Sequence, residues 1–268
     1  MQFVKVSRKT GIKKKRLRLA AIVQAAVLGL IIALQWSFVP STTDGTTSIK
    51  GRNLFFAPSP IGNIEYRALA WSLSKMSVYD SLHLEEQGLS RTVFQMALKG
   101  MEKLQKAGLI RDNILSIADF SKPSSEKRLF VIDLNNYQML FHSLVAHGNR
   151  SGREMASVFS NKPSSNKSSL GFYITGKTYQ GNNGYSLKLQ GVEKGINDLA
   201  DRRAIVVHGA DYVSDRYIQS QGFIGRSQGC PAVPNEISRP LIDEIKDGTV
   251  LFIYHPTTFY TSRSRLVK

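Results

Sequence analysis

The sequence of 268 residues has a single cysteine, Cys230. One thiol makes no internal disulfide, so no cystine framework holds this chain together. Cys230 is left as an inert core thiol, a link to another molecule, or a reactive group. Metal-binding patterns are also missing. There is no second cysteine, no His-x-His and no HExxH, and His142 and His147, five apart on an expected strand, point to opposite faces. Phosphate-cradling glycine loops of the Walker or dinucleotide type are absent, as are internal repeats, heptads and low-complexity tracts. No cofactor and no metal are expected. Acidic residues are scarce, 20 against 36 Lys+Arg, for a formal net charge of +16. A content of 42% hydrophobic and 21% charged residues excludes a disordered polyelectrolyte and a multi-span membrane protein. The length suits one moderate domain or two small ones, each able to bury a core.

The positive charge is unevenly placed. Lys5, Arg8, Lys9, Lys13, Lys14, Lys15, Arg16 and Arg18 precede any acidic residue, so half of the net charge is a terminal tag on a mildly cationic body. Leu19 to Leu34 follows as LAAIVQAAVLGLIIAL, interrupted only by Gln24 and Gly29. A basic head before an apolar run reads as a secretory signal peptide or a signal anchor, whereas a buried core helix would show a polar face. Sixteen such residues span about 24 Å of the ~30 Å hydrocarbon layer, and Trp36, Phe38 and Val39 extend the run. The bulky Ser37-Phe38-Val39-Pro40 stretch lacks a small-x-small cleavage pattern, which favours a retained anchor at 1–40, basic side cytoplasmic and body exported. No cysteine follows the run, which excludes a lipoprotein anchor. The expected location is the periplasmic side of the cell envelope, membrane-anchored or secreted. Charges beside a membrane segment set topology and attract anionic lipid, so nucleic acid is not an expected partner.

Residues 41–62, rich in Ser, Thr, Gly and Pro, read as a linker. A helical lead-in is expected over 63–125. Its clearest helix has Ser90 as cap, Phe94, Ala97, Leu98, Met101, Leu104 and Gln105 on one face, and Gly108 as stop. From 126 to 268 the pattern is mainly β. Leu129 to Leu134, then Asn135-Asn136, then YQMLFHSLVAHG predict a hairpin, because asparagine tolerates the left-handed turn conformation. Further strands are expected at Gly171 to Thr175, Tyr185 to Gln190, Ala204 to His208 and Thr249 to Tyr254. One helix is expected with its cap near Ser238, Pro240 in its first turn and its end at Gly248, and Asn161 to Ser169 (NKPSSNKSS) reads as a long polar loop.

The chemistry concentrates in Ile205-Val-Val-His-Gly and in the polar turn Ser227-Gln-Gly-Cys230. A β-branched run ending in His-Gly puts His208 at the tip of a buried strand, facing a cleft. A thiol with an ordinary pKa of about 8.5 needs a neighbouring base or a donor-rich turn to react near neutrality, and histidine meets that need. Gly229 permits close backbone approach, and the N–H groups of Gly229 and Cys230 are candidates for an oxyanion hole. Nucleophile, base and oxyanion donors together make a candidate acyl-transfer site. The alternatives are a hydrogen-bonded strand-end histidine and an inert thiol. His147, in Leu144-Val-Ala-His-Gly, ends a strand as His208 does and is a candidate for the cleft wall, with a structural histidine as the stronger reading. Asp211 is a weaker candidate for orienting His208.

His208-Gly209 followed by Ser227-Gln228-Gly229-Cys230 resembles the signature of the murein L,D-transpeptidase catalytic domain. The likeness runs over about 110–255 and includes KPSSEKRLFVIDL, LVAHG, SSLGFYITGKTY and HGADYV. The resemblance implies a β-sandwich or barrel catalytic domain behind the helical lead-in, with Cys230 as nucleophile, His208 as base and the Gly209 carbonyl orienting the imidazole. It implies peptidoglycan stem peptides as partners: a tetrapeptide donor loses its terminal D-Ala, and a side-chain amine on another stem accepts the acyl group. Hydrolysis of the same thioester would make the protein an L,D-carboxypeptidase, and a membrane-tethered wall-binding module is the non-catalytic alternative. Two departures from the family pattern stand out. Cys230 is followed by Pro231 and Ala232, so the arginine two positions after the thiol is missing, and the loop from His208 to Cys230 is slightly long. Arg226 is the candidate for anchoring a substrate carboxylate in that arginine's place, a solvated surface arginine being the alternative.

Overall fold

The computed structural model of the chain describes residues 71, 74–110 and 112–268. The basic head, the apolar run and the linker at 41–62 lie outside the described residues. Among the described residues no helix is long and apolar enough to cross a membrane.

Eight strands form one sheet: β1 (Ile114–Asp119), β2 (Leu129–Asp133), β3 (Gln138–Ser143), β4 (Gly171–Gly181), β5 (Gly184–Gly191), β6 (Val206–Gly209), β7 (Ala232–Val233) and β8 (Val250–Tyr254). Their order is β3-β2-β1-β8-β4-β5-β6-β7. Beyond β3 the chain bridges from Ala146 to Ala232 and from Gly148 to Ser227, so the two outer edges meet and the sheet becomes a nearly closed barrel. That closure brings the chain after the first hairpin against the Ser227–Cys230 turn. The expected mainly β architecture is what the chain adopts.

Every residue of β1 and β8 is buried, so neither strand lends a polar face to solvent. Continuous burial means both faces of the sheet centre are covered. A helix over 74–81, α1, precedes α2 (Arg91–Lys106), which packs on β1 and β8. The expected face is the one buried: Phe94, Ala97, Leu98, Met101 and Leu104 all point into the core. Truncating one such large side chain, for example Phe94→Ala, would cost about 3–5 kcal/mol. A β-carbon on Gly100 would lie 2.0 Å from the Phe172 ring, so only glycine lets α2 approach the sheet here. Phe172 in turn stacks on Phe252 with centroids 4.2 Å apart. Gly108, with φ +69°, takes the left-handed conformation that ends the helix. Ser90 stands at the N-cap, but its hydroxyl makes no capping hydrogen bond.

The structure departs from the sequence expectation in several places. β1 lies within 63–125, the stretch expected to be a helical lead-in, and occupies the sheet centre between β2 and β8. Ile114 to Asp119 has no polar alternation to mark it as a strand, because both its faces are covered. In the β2–β3 hairpin the positive φ falls on Tyr137 (+53°) and not on the asparagines. Asn135 and Asn136 instead donate their backbone N–H groups to Asp133 Oδ1 at 2.8 and 3.0 Å. The carboxylate organises this turn. Helix α4 (Asn235–Ile245), which follows α3 (Asp215–Gln221), begins three residues before the expected cap and contains Pro240 as an interior residue. Pro240 and Glu236 are both exposed, so water meets the Glu236 carbonyl that Pro240 leaves without a donor. A last helix, α5 (Thr258–Arg263), is capped by the Thr257 hydroxyl, which accepts from the Tyr260 N–H.

Candidate active site

His208 and Cys230 reach the site by different local routes. The short 3-10 turn Asp201–Arg203 ends at Ala204, whose φ of +51° turns the chain into β6. β6 pairs with β5 on one side and runs parallel to β7 on the other, with His208 opposite Ala232. Cys230 therefore arrives two residues ahead of the register partner of His208. Both side chains line one cavity of about 950 Å³, with Arg202, Arg203, Asp211, Tyr212 and Arg226 on its walls.

The His208 ring has a defined tautomer. Nδ1 lies 2.8 Å from the Gly209 carbonyl, an acceptor only, so Nδ1 carries the proton and Nε2 is left with a lone pair. Gly209 is needed for a second reason: a β-carbon there would come 2.4 Å from Asn235 Oδ1 and 2.7 Å from Ser238 Oγ, where α4 abuts the strand. Burial pulls the His208 pKa below its usual value, against the Gly209 hydrogen bond, which raises it. Burial likewise pushes the Cys230 thiol up, opposed by the Val206 N–H and by the charge of Arg203. Both shifts favour the uncharged forms, so the resting cavity holds a neutral thiol and a neutral imidazole. The thiol points at the Ala204 carbonyl, 3.7 Å away.

The turn around Cys230 is built by buried serines. Ser227 Oγ accepts from the Gly229 N–H at 3.0 Å and donates to the Cys230 carbonyl at 2.6 Å. Ser168 Oγ accepts from the Gly148 N–H at 3.0 Å and donates to the Gly229 carbonyl at 3.2 Å. Of the two amides expected to meet an oxyanion, that of Gly229 is thus engaged with Ser227, while that of Cys230 donates to no partner among the described residues. Gly229 has φ +127°, and a β-carbon on it would lie 2.9 Å from the Lys167 carbonyl. No other residue fits this position without strain.

His147 is not on the cavity wall. It is fully buried behind the Ser227–Cys230 turn, and its carbonyl accepts the Ser227 N–H at 3.0 Å. Its Nδ1 lies 2.8 Å from Arg128 Nη2, and its Nε2 lies 3.4 Å from the Gly152 carbonyl. The Arg128 side chain is itself fully buried, donating to the Val145 and Lys122 carbonyls. Burial pulls the Arg128 pKa down to about 9, so the guanidinium remains charged at pH 7. Its N–H must then donate to His147 Nδ1, and the proton of that ring sits on Nε2. Burial first, then the charges of Arg128 and Arg226, push the His147 pKa down to about 3. A neutral, fully bonded histidine supports the turn from behind. Asp211 does line the cavity but accepts from Asn235 Nδ2, while the ring of His208 is oriented by Gly209. Arg226 is exposed at the cavity, its Nη1 donating to the Gly152 carbonyl at 3.1 Å.

Sequence reasoning overlooked Arg203, Arg128 and Ser168. The signal for Arg203 was a cation directly before the β-branched run that carries His208. For Ser168 there was none, since its partner Gly229 is 61 residues away.

The nearly closed β barrel thus carries a thiol and a tautomerically fixed imidazole on the wall of a shared cavity. The model of the L,D-transpeptidase catalytic domain matches residues 85–254, and the chain belongs to that family. Among solved structures it is similar to an L,D-transpeptidase from Mycobacterium smegmatis (13% identity, 53% of this chain and 59% of that one, TM-score 0.33). It is also similar to L,D-transpeptidase 1 of Mycobacterium tuberculosis (11%, 54% and 62%, TM-score 0.31). A third is the helical cell shape determining protein Pgp2 of Campylobacter jejuni (12%, 60% and 57%, TM-score 0.35). The chain spans about three fifths of the length of each of these proteins. No curated protein matches.

Proposed function

We propose that this protein is a cysteine-dependent L,D-transpeptidase that acts on peptidoglycan stem peptides at the periplasmic side of the cell envelope. The observation that carries the reading is the pairing of Cys230 with His208 in one cavity, the imidazole turned by Gly209 so that Nε2 is free to accept a proton. Membership of the family supports the substrate class.

In this reading the neutral pair reacts in concert. As Cys230 Sγ attacks the carbonyl carbon of the third stem residue, His208 Nε2 takes the thiol proton, and the new oxyanion is met by the Cys230 N–H. Collapse breaks the C–N bond to D-Ala, whose nitrogen leaves with the proton from the imidazolium. The thioester then accepts an amine from a second stem, His208 takes one amine proton, and the returning thiolate is reprotonated as the amide forms. Water in place of the amine gives the carboxypeptidase outcome. Arg226 at the cavity rim is suited to a donor carboxylate. The basic, apolar N-terminus supports export of the body.

Purified protein given disaccharide tetrapeptide should release D-Ala and form cross-linked dimers. Release of D-Ala with only free tripeptide as co-product would assign the carboxypeptidase reaction. No release of D-Ala at all would leave the wall-binding alternative.

A further inference from the structure

Arg203 is a half-buried guanidinium without a carboxylate partner among the described residues. Its fork is spent on neutral oxygens of a single segment. Nη1 donates to the Ser160 carbonyl at 2.9 Å and to Ser169 Oγ, and Nη2 donates to the Lys167 carbonyl and to Ser165 Oγ at 3.3 Å. That segment is the polar loop at 160–169, whose Pro163, Ser164 and Asn166 line the cavity. The same Nη2 lies 3.2 Å from the point where a β-carbon on Gly229 would sit, so the guanidinium is packed against the residue that precedes the nucleophile. Its neighbour Ala204 is the acceptor for the thiol.

A half-buried cation whose hydrogen bonds all go to neutral oxygens is costly to hold unless an anion forms nearby. The groups lining the cavity with Cys230 that carry or can acquire charge are Arg203 and Arg202 from the 3-10 turn, His208 from β6, Asp211 and Tyr212 from the loop after it, and Arg226 from the turn before the thiol, while Tyr173 of β4, which burial keeps neutral, also faces Arg203. Burial pushes Tyr212 up to about 12, so it stays neutral where the thiol titrates. Asp211 is engaged with Asn235, and Arg226 reaches away to Gly152. Arg203 is the guanidinium built into the frame of the turn itself.

We propose that Arg203 is a positioning residue for this reaction: its fork straps the 160–169 wall against the Gly229–Cys230 turn, and its uncompensated charge is held ready for the negative sulfur. The attacking and departing sulfur carries developing negative charge in both half-reactions, and Arg203 stabilises it in each. This fits the departure in the motif, since the cation missing after Cys230 is supplied from before β6. The inference rests on the proposed function only in taking Cys230 as the nucleophile.

The test uses the full chain, in which one cysteine makes thiolate absorbance and alkylation site-specific. Wild type, Arg203→Gln and Arg203→Lys are titrated and alkylated with iodoacetamide across pH. Arg203→Gln should raise the thiol midpoint by about one unit and slow alkylation near neutrality about tenfold. Arg203→Lys, which keeps the charge and loses the fork, should titrate close to wild type, while amide exchange over 160–169 rises in both variants. A merely structural role would not separate lysine from glutamine in the titration. Superimposable titrations of wild type and Arg203→Gln would overturn the inference, as would a lysine variant that titrates like glutamine. If Arg203→Gln fails to fold, the lysine comparison stands, together with the wild-type preference for anionic iodoacetate over iodoacetamide relative to free glutathione. That preference should exceed unity and fall with salt, and its absence would count against the charge. None of these measurements requires turnover, so they stay separate from the peptidoglycan assay, whose failure would overturn the proposed reaction instead.

Discussion

Replacing His147 with glutamine should make the protein less sensitive to acid. The folded pKa of His147 is about 3 against an ordinary 6.5, because the ring is buried beside the Arg128 guanidinium. Between those two values the unfolded chain binds one proton that the folded chain refuses, so stability is lost as pH falls from 6.5 towards 3. One proton corresponds to a slope of about 1.4 kcal/mol per pH unit, and the whole interval to roughly 4–5 kcal/mol. That is a large share of the ~5–15 kcal/mol that holds a typical domain together. In His147→Gln the amide oxygen can still accept from Arg128, and nothing titrates. Guanidinium unfolding at several pH values between 4 and 6.5 should give a slope smaller than wild type by about one proton. His142, His208 and His255 are also lowered by burial and add slope of the same sign, whereas buried Glu193 is raised and acts in the opposite sense. Both proteins share those groups, so they cancel in the difference. Parallel pH profiles would show that His147 is not held neutral by Arg128, and the account of the nucleophile turn's support would fail.

Cys230→Ser should fold as wild type and lose nearly all D-Ala release, since a hydroxyl is far less acidic than a thiol; circular dichroism and product analysis check the two halves. His208→Ala should slow acylation by ~10²–10⁴-fold. In wild type the rate should fall on the acid side through a midpoint below 6.5, because burial lowers the His208 pKa and only neutral Nε2 accepts the proton, a limb that the variant should lose. Gly229→Ala should destabilise by about 1–3 kcal/mol in thermal unfolding, through its φ of +127° and the Lys167 carbonyl 2.9 Å from the new methyl.

The parts of this molecule that could be read from the sequence are those encoded locally. The β-branched run before His208 became β6, and the glycine-bearing stretch Ser227–Cys230 became a tight, serine-bonded turn on the cavity. The apolar face of α2 was legible because helical spacing repeats within a few residues. What stayed hidden depends on residues far apart in the chain. β1 acquires its identity from β8, more than a hundred residues later, and its unbroken burial erases the alternation that marks a strand. His147 already read more strongly as a structural histidine, but its partner, the buried Arg128 side chain, could not be found from the sequence. The stretch 161–169 read only as a polar loop, yet Ser168 and Ser169 are buried, bonded to the Gly229 carbonyl and to Arg203. Arg226, four residues before the thiol, is the cavity cation the sequence points to, whereas Arg203, from the turn before β6, lines the same cavity.

The most direct test is the covalent intermediate itself. Full-length protein mixed with disaccharide tetrapeptide, quenched in acid within the first turnover and digested, should yield a peptide containing Cys230 that has gained the donor minus its terminal D-Ala, as a hydroxylamine-labile thioester. Release of D-Ala with no acyl group on Cys230, or with the acyl group on another residue, would contradict the account.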